Sequence, residues 1–238
     1  MSKRVKKRFT SDVNVIDFQP YLPNRKHRLI LHPRNKNQEL YLNKLNDDTK
    51  NIVFAIGPAG TGKTLLAVQM GIRLYQEGKI DKIIVTRPAV SVDEDLGFLP
   101  GDLNEKMAPW TRPIFDVLGE YYNQKDIENM LYEKIVEISP LAYMRGRTFK
   151  SAYIIADEMQ NATQNQMKML LTRLGEGSKM VVTGDLAQAD RLKDNGLINF
   201  IERVHQHKKL EYIDLVTFDN KDIERHDAVR EVLEIYGD

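Results

Sequence analysis

The chain has 238 residues, 42% of them apolar, a formal net charge of +1 and no cysteine. That length and apolar fraction suit one sizeable α/β domain and exclude a chain disordered throughout. Disulfides, thiolate metal sites and cysteine nucleophiles are excluded, and no apolar run reaches the ~18 residues of a membrane span. Residues 1–36 hold ten Lys and Arg against only Asp12 and Asp17, so the remainder is acidic. With Pro20, Pro23 and Pro33 this stretch reads as a basic arm, either meeting a polyanion or simply solvated. No apolar h-region follows the basic residues, so it is not read as a signal peptide, and the expected location is cytoplasmic.

From about residue 37 to 238 the pattern becomes globular. Gln38–Leu45 reads as a helix leading into a first core strand, Asn51–Ile56. Further short apolar runs at Lys82–Thr86, Tyr153–Ala156, Lys179–Thr183 and Tyr212–Thr217 read as buried parallel strands. Between them lie amphipathic stretches at Lys63–Gln76, Thr163–Leu174 and Asn195–His205. Strands alternating with helices imply βαβ units, hence a parallel sheet with helices on both faces. Residues 87–150 break the alternation. They hold Pro88, Pro100, Pro109, Pro113 and Pro140 and the single Trp110, and read as an inserted helical segment on the ligand side of the sheet. Lys134–Ile138 adds a possible strand there.

The first strand runs into Gly57-Pro58-Ala59-Gly60-Thr61-Gly62-Lys63-Thr64, followed by Leu65 and a helical pattern. This is the G-x-x-x-x-G-K-[ST] phosphate loop in its expected strand–loop–helix context. Its glycines let backbone N–H groups close around an anion, and the positive end of the next helix adds to the field. Lys63 is placed to reach the β- and γ-phosphates of ATP, and Thr64 to give a hydroxyl to Mg²⁺. Asp157 and Glu158 follow the apolar run 153–156, so both carboxylates stand beyond the carboxyl end of a buried strand, where ligands of such sheets bind. Asp157 suits the metal, and Glu158 suits a water attacking the terminal phosphate. The same pair also fits a helix start. Gln188, after Val181-Val-Thr-Gly-Asp185, is placed to touch the γ-phosphate, and Asp185 to serve the water or fix Gln188. A plain Gly184-Asp185 turn is the alternative.

Taken together, the loop, Asp157-Glu158-Met159-Gln160-Asn161 and Gly184-Asp185-x-x-Gln188 resemble PhoH-like proteins, a family similar to the ATPase half of superfamily 1 helicases. Thr86-Arg87-Pro88-Ala89-Val90, the stretches 96–103 and 140–148, and Ile223-Glu224-Arg225-His226 are similar to stretches of that family, so the resemblance covers residues 37 to about 236. The resemblance is to the short, single-domain form common in bacteriophages, for which no fused nuclease domain is expected. The location would then be the host cytoplasm. The resemblance implies a RecA-like P-loop NTPase core, ATPase activity with Mg²⁺ and an RNA-related role. It also implies a hexameric homo-oligomeric ring with nucleotide between subunits. It implies further that an arginine serves the neighbour's γ-phosphate, for which Arg225 is the candidate, with a surface arginine as the alternative. Gln38 and Tyr41 occupy the family's position for reading the adenine edge and stacking on the base, although a plain amphipathic helix also explains them.

Arg87, Arg112, Arg145 and Arg147 lie in or beside the segment 87–150, interleaved with Trp110, Tyr143 and Phe149. Cations that pair with phosphates and rings that stack on unpaired bases are the chemistry of sequence-tolerant single-strand binding. The alternative is that the rings pack the segment and the arginines form salt bridges. The reading is an ATP-driven, RNA-remodelling motor of the helicase type. Its alternatives are a nucleotide-gated RNA- or protein-binding scaffold and a small-molecule kinase. A single RecA-like module needs other subunits to supply the missing half of a motor.

Overall fold

The structure is a computed structural model that describes residues 29–88, 103–189, 194–207, 209–225 and 227–236. In chain order the elements are α1 Lys36–Asn46, β1 Ile52–Ile56, α2 Lys63–Gln76, β2 Lys82–Arg87, α3 Leu103–Tyr121, α4 Gln124–Tyr132 and β3 Val136–Pro140. They continue with β4 Ala152–Ala156, α5 Gln164–Leu171, β5 Lys179–Gly184, α6 Gly196–Gln206, β6 Ile213–Thr217 and α7 Asp227–Tyr236. The strands form one parallel sheet in the order β3-β2-β4-β5-β1-β6. The fold is that of the P-loop NTPases, an α/β sheet with helices on both faces. The chain's five apolar runs all became strands.

Burial explains why those runs lack alternation. Every residue of β1, β4 and β5 is buried, because these strands lie inside the sheet with both faces covered. Val53 and Ala55 face a core built with Leu42 and Leu45 of α1, Met70 of α2, Leu118 of α3 and Met130 of α4. Phe54, Ile154 and Val182 face the opposite core, with Met167 and Leu170 of α5 and Leu197 of α6. There Phe54 stacks on Phe200 with ring centroids 4.9 Å apart, fixing α6 to the sheet. Local signals set the helix starts. Asn35 caps α1 by accepting from Gln38 N at 2.9 Å, and Thr163 with Gln166 forms a capping box on α5.

Two expected boundaries shift. Leu29 is buried in the α1–α4 core and its N–H donates to Gln76 Oε1, so residues 29–36 belong to the body rather than to an arm. Residues 1–28 lie outside the described residues. The segment 87–150 is also not a separate insert. It is a crossover in which α3 packs on α2 through Ile114, Val117 and Leu118, and β3 returns parallel to β2 as the edge of the main sheet. Residues 89–102 lie outside the described residues.

One cation is buried away from the loop. Lys179, at the start of β5, donates Nζ to Leu45 O at 2.6 Å and Asp47 O at 2.7 Å, tying the end of α1 to the sheet. Burial lowers its amine from 10.5 to about 8. The folded chain therefore gives up this proton earlier than the unfolded chain, and stability rises as pH climbs from about 8 to 10.5. Over that window, chemical denaturation should show the wild type gaining up to about 3 kcal/mol relative to Lys179→Met, whose profile lacks this contribution. A second prediction concerns glycine. A Cβ on Gly71 in α2 would stand 2.9 Å from Tyr153 Cδ1, a ring with no exposed surface, whereas a Cβ on Gly119 in α3 meets nothing within 4 Å. Gly71→Ala should cost about 1–3 kcal/mol by overpacking despite the helical preference for alanine. Gly119→Ala should stabilise by up to about 1 kcal/mol in the same urea titrations.

Candidate nucleotide site

The strand order brings the carboxyl ends of β1, β5 and β4 side by side. The loop after β1, the acids after β4 and the turn after β5 therefore converge on one cavity of about 250 Å³. It is lined by Ala59, Gly60, Gly62, Lys63, Thr64, Leu65, Asp157, Glu158, Thr183, Gly184, Asp185 and Gln188. Gly62 holds φ +82° as the N-cap of α2 and offers no side chain to the helix's first N–H groups, which have no intrahelical acceptors. Those donors and the positive end of α2 suit a phosphate.

Lys63 is buried and its Nζ donates to Gly57 O at 2.7 Å, Pro58 O at 2.6 Å and Thr61 Oγ1 at 3.2 Å. Burial lowers its pKa, and the carboxylates of Asp185, Glu158 and Asp157 work the other way. Across the cavity Asp157 Oδ1 accepts from Thr64 Oγ1 at 2.8 Å and also from Thr183 Oγ1. Two residues 93 positions apart in sequence thus share one point. Their oxygens are the hard donors that Mg²⁺ prefers, and that ion usually takes only one or two protein ligands beside substrate phosphates. No group of three or more His, Cys, Asp or Glu suited to a metal exists among the described residues, so any ion held here depends on further oxygens from a ligand.

Glu158 stands where β4 ends, at φ 54° and ψ 38°. A non-glycine residue there costs about 1 kcal/mol, and such strain collects at functional sites. Its Oε2 accepts from Gln160 Nε2, and its Oε1 lies 3.7 Å from Arg87 Nη2. Gln160 is buried and its Oε1 accepts from Asp185 N at 3.1 Å, while Asp185 Oδ2 accepts from Ala59 N at 3.2 Å. A continuous chain of hydrogen bonds therefore joins Glu158 to the phosphate loop. Gln188 is exposed at the cavity rim, with its N–H donating to Asp185 O at 3.2 Å.

Several expected residues stand elsewhere. Tyr41 has no exposed surface, packs edge-on against Phe218 at 5.7 Å and donates to Lys63 O at 3.4 Å. Its ring is part of the core, so base stacking gives way to a role under the loop. Gln38 is buried as well. Its Nε2 donates to the loop at Thr61 O at 3.0 Å and its Oε1 accepts from Arg34 N at 2.8 Å, so both amide atoms are occupied within the chain. Arg225 lies against its own chain's loop. A Cβ on Gly60 would stand 2.7 Å from Arg225 Nε, and Glu224 N donates to Gly60 O at 3.0 Å. Within one chain Arg225 therefore stands beside the phosphate loop it belongs to. The cause is the turn at Asn220–Asp222, which folds back onto α1 through Asn37 Nδ2 and Asp222 Oδ2 at 2.8 Å.

The four arginines do not form one surface. Arg147 is paired with Glu137 through both guanidinium nitrogens and lies 4.6 Å over the buried ring of Phe149. That pairing, which lowers the Glu137 carboxyl through the Arg147 hydrogen bond, makes Arg147 structural rather than free for a phosphate. Arg87 approaches Glu158 at 3.7 Å and stays partly exposed. Arg112 and Arg145 are exposed, with Tyr143 close by in sequence and also exposed, and the side chain of Trp110 lies outside the described residues. Thr183, Gln160 and the Arg87–Glu158 pair were missed in the sequence. The parallel register Ala156↔Val182 places Thr183 beside Asp157, and that register is visible only once β4 and β5 are known to be neighbours.

The family described as PhoH-like protein matches residues 30–237. The chain is 49% identical over 188 residues to the PhoH-like protein of Bacillus subtilis, covering 78% of this chain and 58% of that protein. It is 43% identical over 207 residues to the PhoH-like protein of Mycobacterium tuberculosis, covering 87% and 58%. It is 42% identical over 208 residues to protein PhoH of Escherichia coli, covering 86% and 57%. The chain thus matches a little under three-fifths of each relative's length. Among the described residues no helix is long and apolar enough to cross a membrane.

Proposed function

The chain belongs to the PhoH-like family, of the P-loop ATPase class, and from that premise we propose that it binds Mg·ATP in the cavity between β1, β5 and β4 and hydrolyses it. The observation that carries this reading is the contact between Thr64 Oγ1 and Asp157 Oδ1 at 2.8 Å, a ready pair of magnesium ligands beside a phosphate loop. When bound, Mg²⁺ supplies charge neutralisation on the β- and γ-phosphates. The N–H groups of the loop and the start of α2 hold the phosphates. Lys63 turns from the carbonyls of Gly57 and Pro58 to the terminal phosphate. Glu158 accepts a hydrogen bond from the attacking water, and Gln188 at the rim contacts the terminal phosphate. Arg225, already over Gly60, adds positive charge from the same chain.

The turnover drives remodelling of single-stranded RNA by a homo-oligomer, a hexameric ring being the form the family resemblance implies. The exposed Arg112, Arg145 and Tyr143 are the described residues that suit backbone and base contacts. A chain with one nucleotide-binding module needs its copies for directional work. Phosphate release from Mg·ATP, measured with and without single-stranded RNA and paired with native mass, tests both parts. Glu158→Gln should lower kcat by at least about a hundredfold with nucleotide binding retained, and Lys63→Ala should lose binding and turnover together. Hydrolysis unaffected by either change would remove the site. Monomers with ATP and RNA present would remove the motor but leave the ATPase.

A further inference from the structure

Glu158 has both carboxylate oxygens in side-chain contacts. One contact is local, from Gln160 Nε2 to Oε2 within the turn after β4. The other crosses from the neighbouring strand. Arg87 is the last residue of β2, and the register Thr86↔Ala156 sets it beside the Asp157-Glu158 step. Its Nη2 lies 3.7 Å from Glu158 Oε1, within ion-pair range but longer than a good hydrogen bond. The Arg87 and Glu158 side chains are 28% and 34% exposed, so water and salt screen the pair and the guanidinium is reachable from outside.

A guanidinium offers five donors in a flat fork that fits a phosphate through two short, charge-assisted bonds. A phosphodiester is therefore a better partner for Arg87 than this single long approach to a carboxylate. Glu158 lines the cavity of Lys63 and Thr64, and one of its oxygens lies towards the Arg87 guanidinium at the end of β2. We infer that Arg87 is a positioning residue that restrains Glu158 until a phosphodiester of single-stranded RNA takes the guanidinium, which frees the carboxylate to align water. The inference rests on the proposed role of Glu158 in hydrolysis. It supplies the physical link by which RNA would accelerate turnover without touching the nucleotide. Among the described arginines only Arg87 is ion-paired to Glu158.

The test uses the full chain, Mg·ATP and an oligouridylate, reading steady-state phosphate release for wild type, Arg87→Ala, Arg87→Lys and Glu158→Gln. Arg87→Ala should raise basal kcat by up to about fivefold, the ceiling for a screened ion pair, with KM for Mg·ATP unchanged. Oligouridylate should stimulate the wild type and add nothing to Arg87→Ala. Arg87→Lys, which keeps the charge but not the fork, should lie between them. Glu158→Gln should be silent throughout. A basal rate in Arg87→Ala equal to or below that of wild type overturns the inference, as does normal stimulation of that variant. A wild type that never hydrolyses ATP removes the ATPase reading and this restraint with it, whereas an active wild type matched by Arg87→Ala removes the restraint alone.

Discussion

The Asp157 carboxylate is the point on which the site depends. It stands at the end of β4, and the loop it must serve follows β1, two strands away. The intervening β5 closes the gap. Thr183 reaches Asp157 from one side and Thr64 from the other, so a single oxygen joins three elements. A carboxylate with two hydroxyl donors is fixed in direction, and a metal ligand has to be fixed if phosphate is to be held at a constant distance from the attacking group.

The loop itself is held from both ends of the chain. Gln38 and Tyr41 of α1 bond the carbonyls of Thr61 and Lys63, while Glu224 donates to Gly60 and Phe218 packs beside Gly57. Asn37 and Asp222 join the two clamps to each other. On the far side the sequence Glu158, Gln160, Asp185, Ala59 forms a hydrogen-bonded path between the group that would meet water and the backbone that would meet phosphate. At its centre Gln160 and Asp185 are buried, so losing that link would strand a polar group away from water, while the Glu158 end stays partly exposed.

Much of this was legible in the sequence because it depends on local pattern. The five apolar runs, the loop after Ile56 and the two acids after Ala156 are each written in consecutive residues, and each stands where the pattern put it. The failures depend on pairing at a distance. Arg147 read as a free cation because Glu137, its partner, carries no local mark. Tyr41 read as a base-stacking ring because an amphipathic helix does not reveal that its neighbours close over it completely. The helical reading of the segment 87–150 fits α3 and α4, with α3 passing through Pro109 and Pro113. The packing of Ile114, Val117 and Leu118 against α2 outweighs the poor helix propensity of those prolines. The place of Arg225 beside Gly60 was equally invisible, because nothing in Ile223–Arg225 announces the fold-back through Asp222.

Lys63 shows how the loop keeps its shape. Its ammonium closes a ring with the carbonyls of Gly57 and Pro58 and the hydroxyl of Thr61, so the amide cradle is braced by the chain's own cation. An arriving anion must draw that cation out of three bonds at once. The loop is therefore closed on itself by its own lysine, and an anion reaches the amide cradle only by offering that ammonium a stronger acceptor than two carbonyls and a hydroxyl.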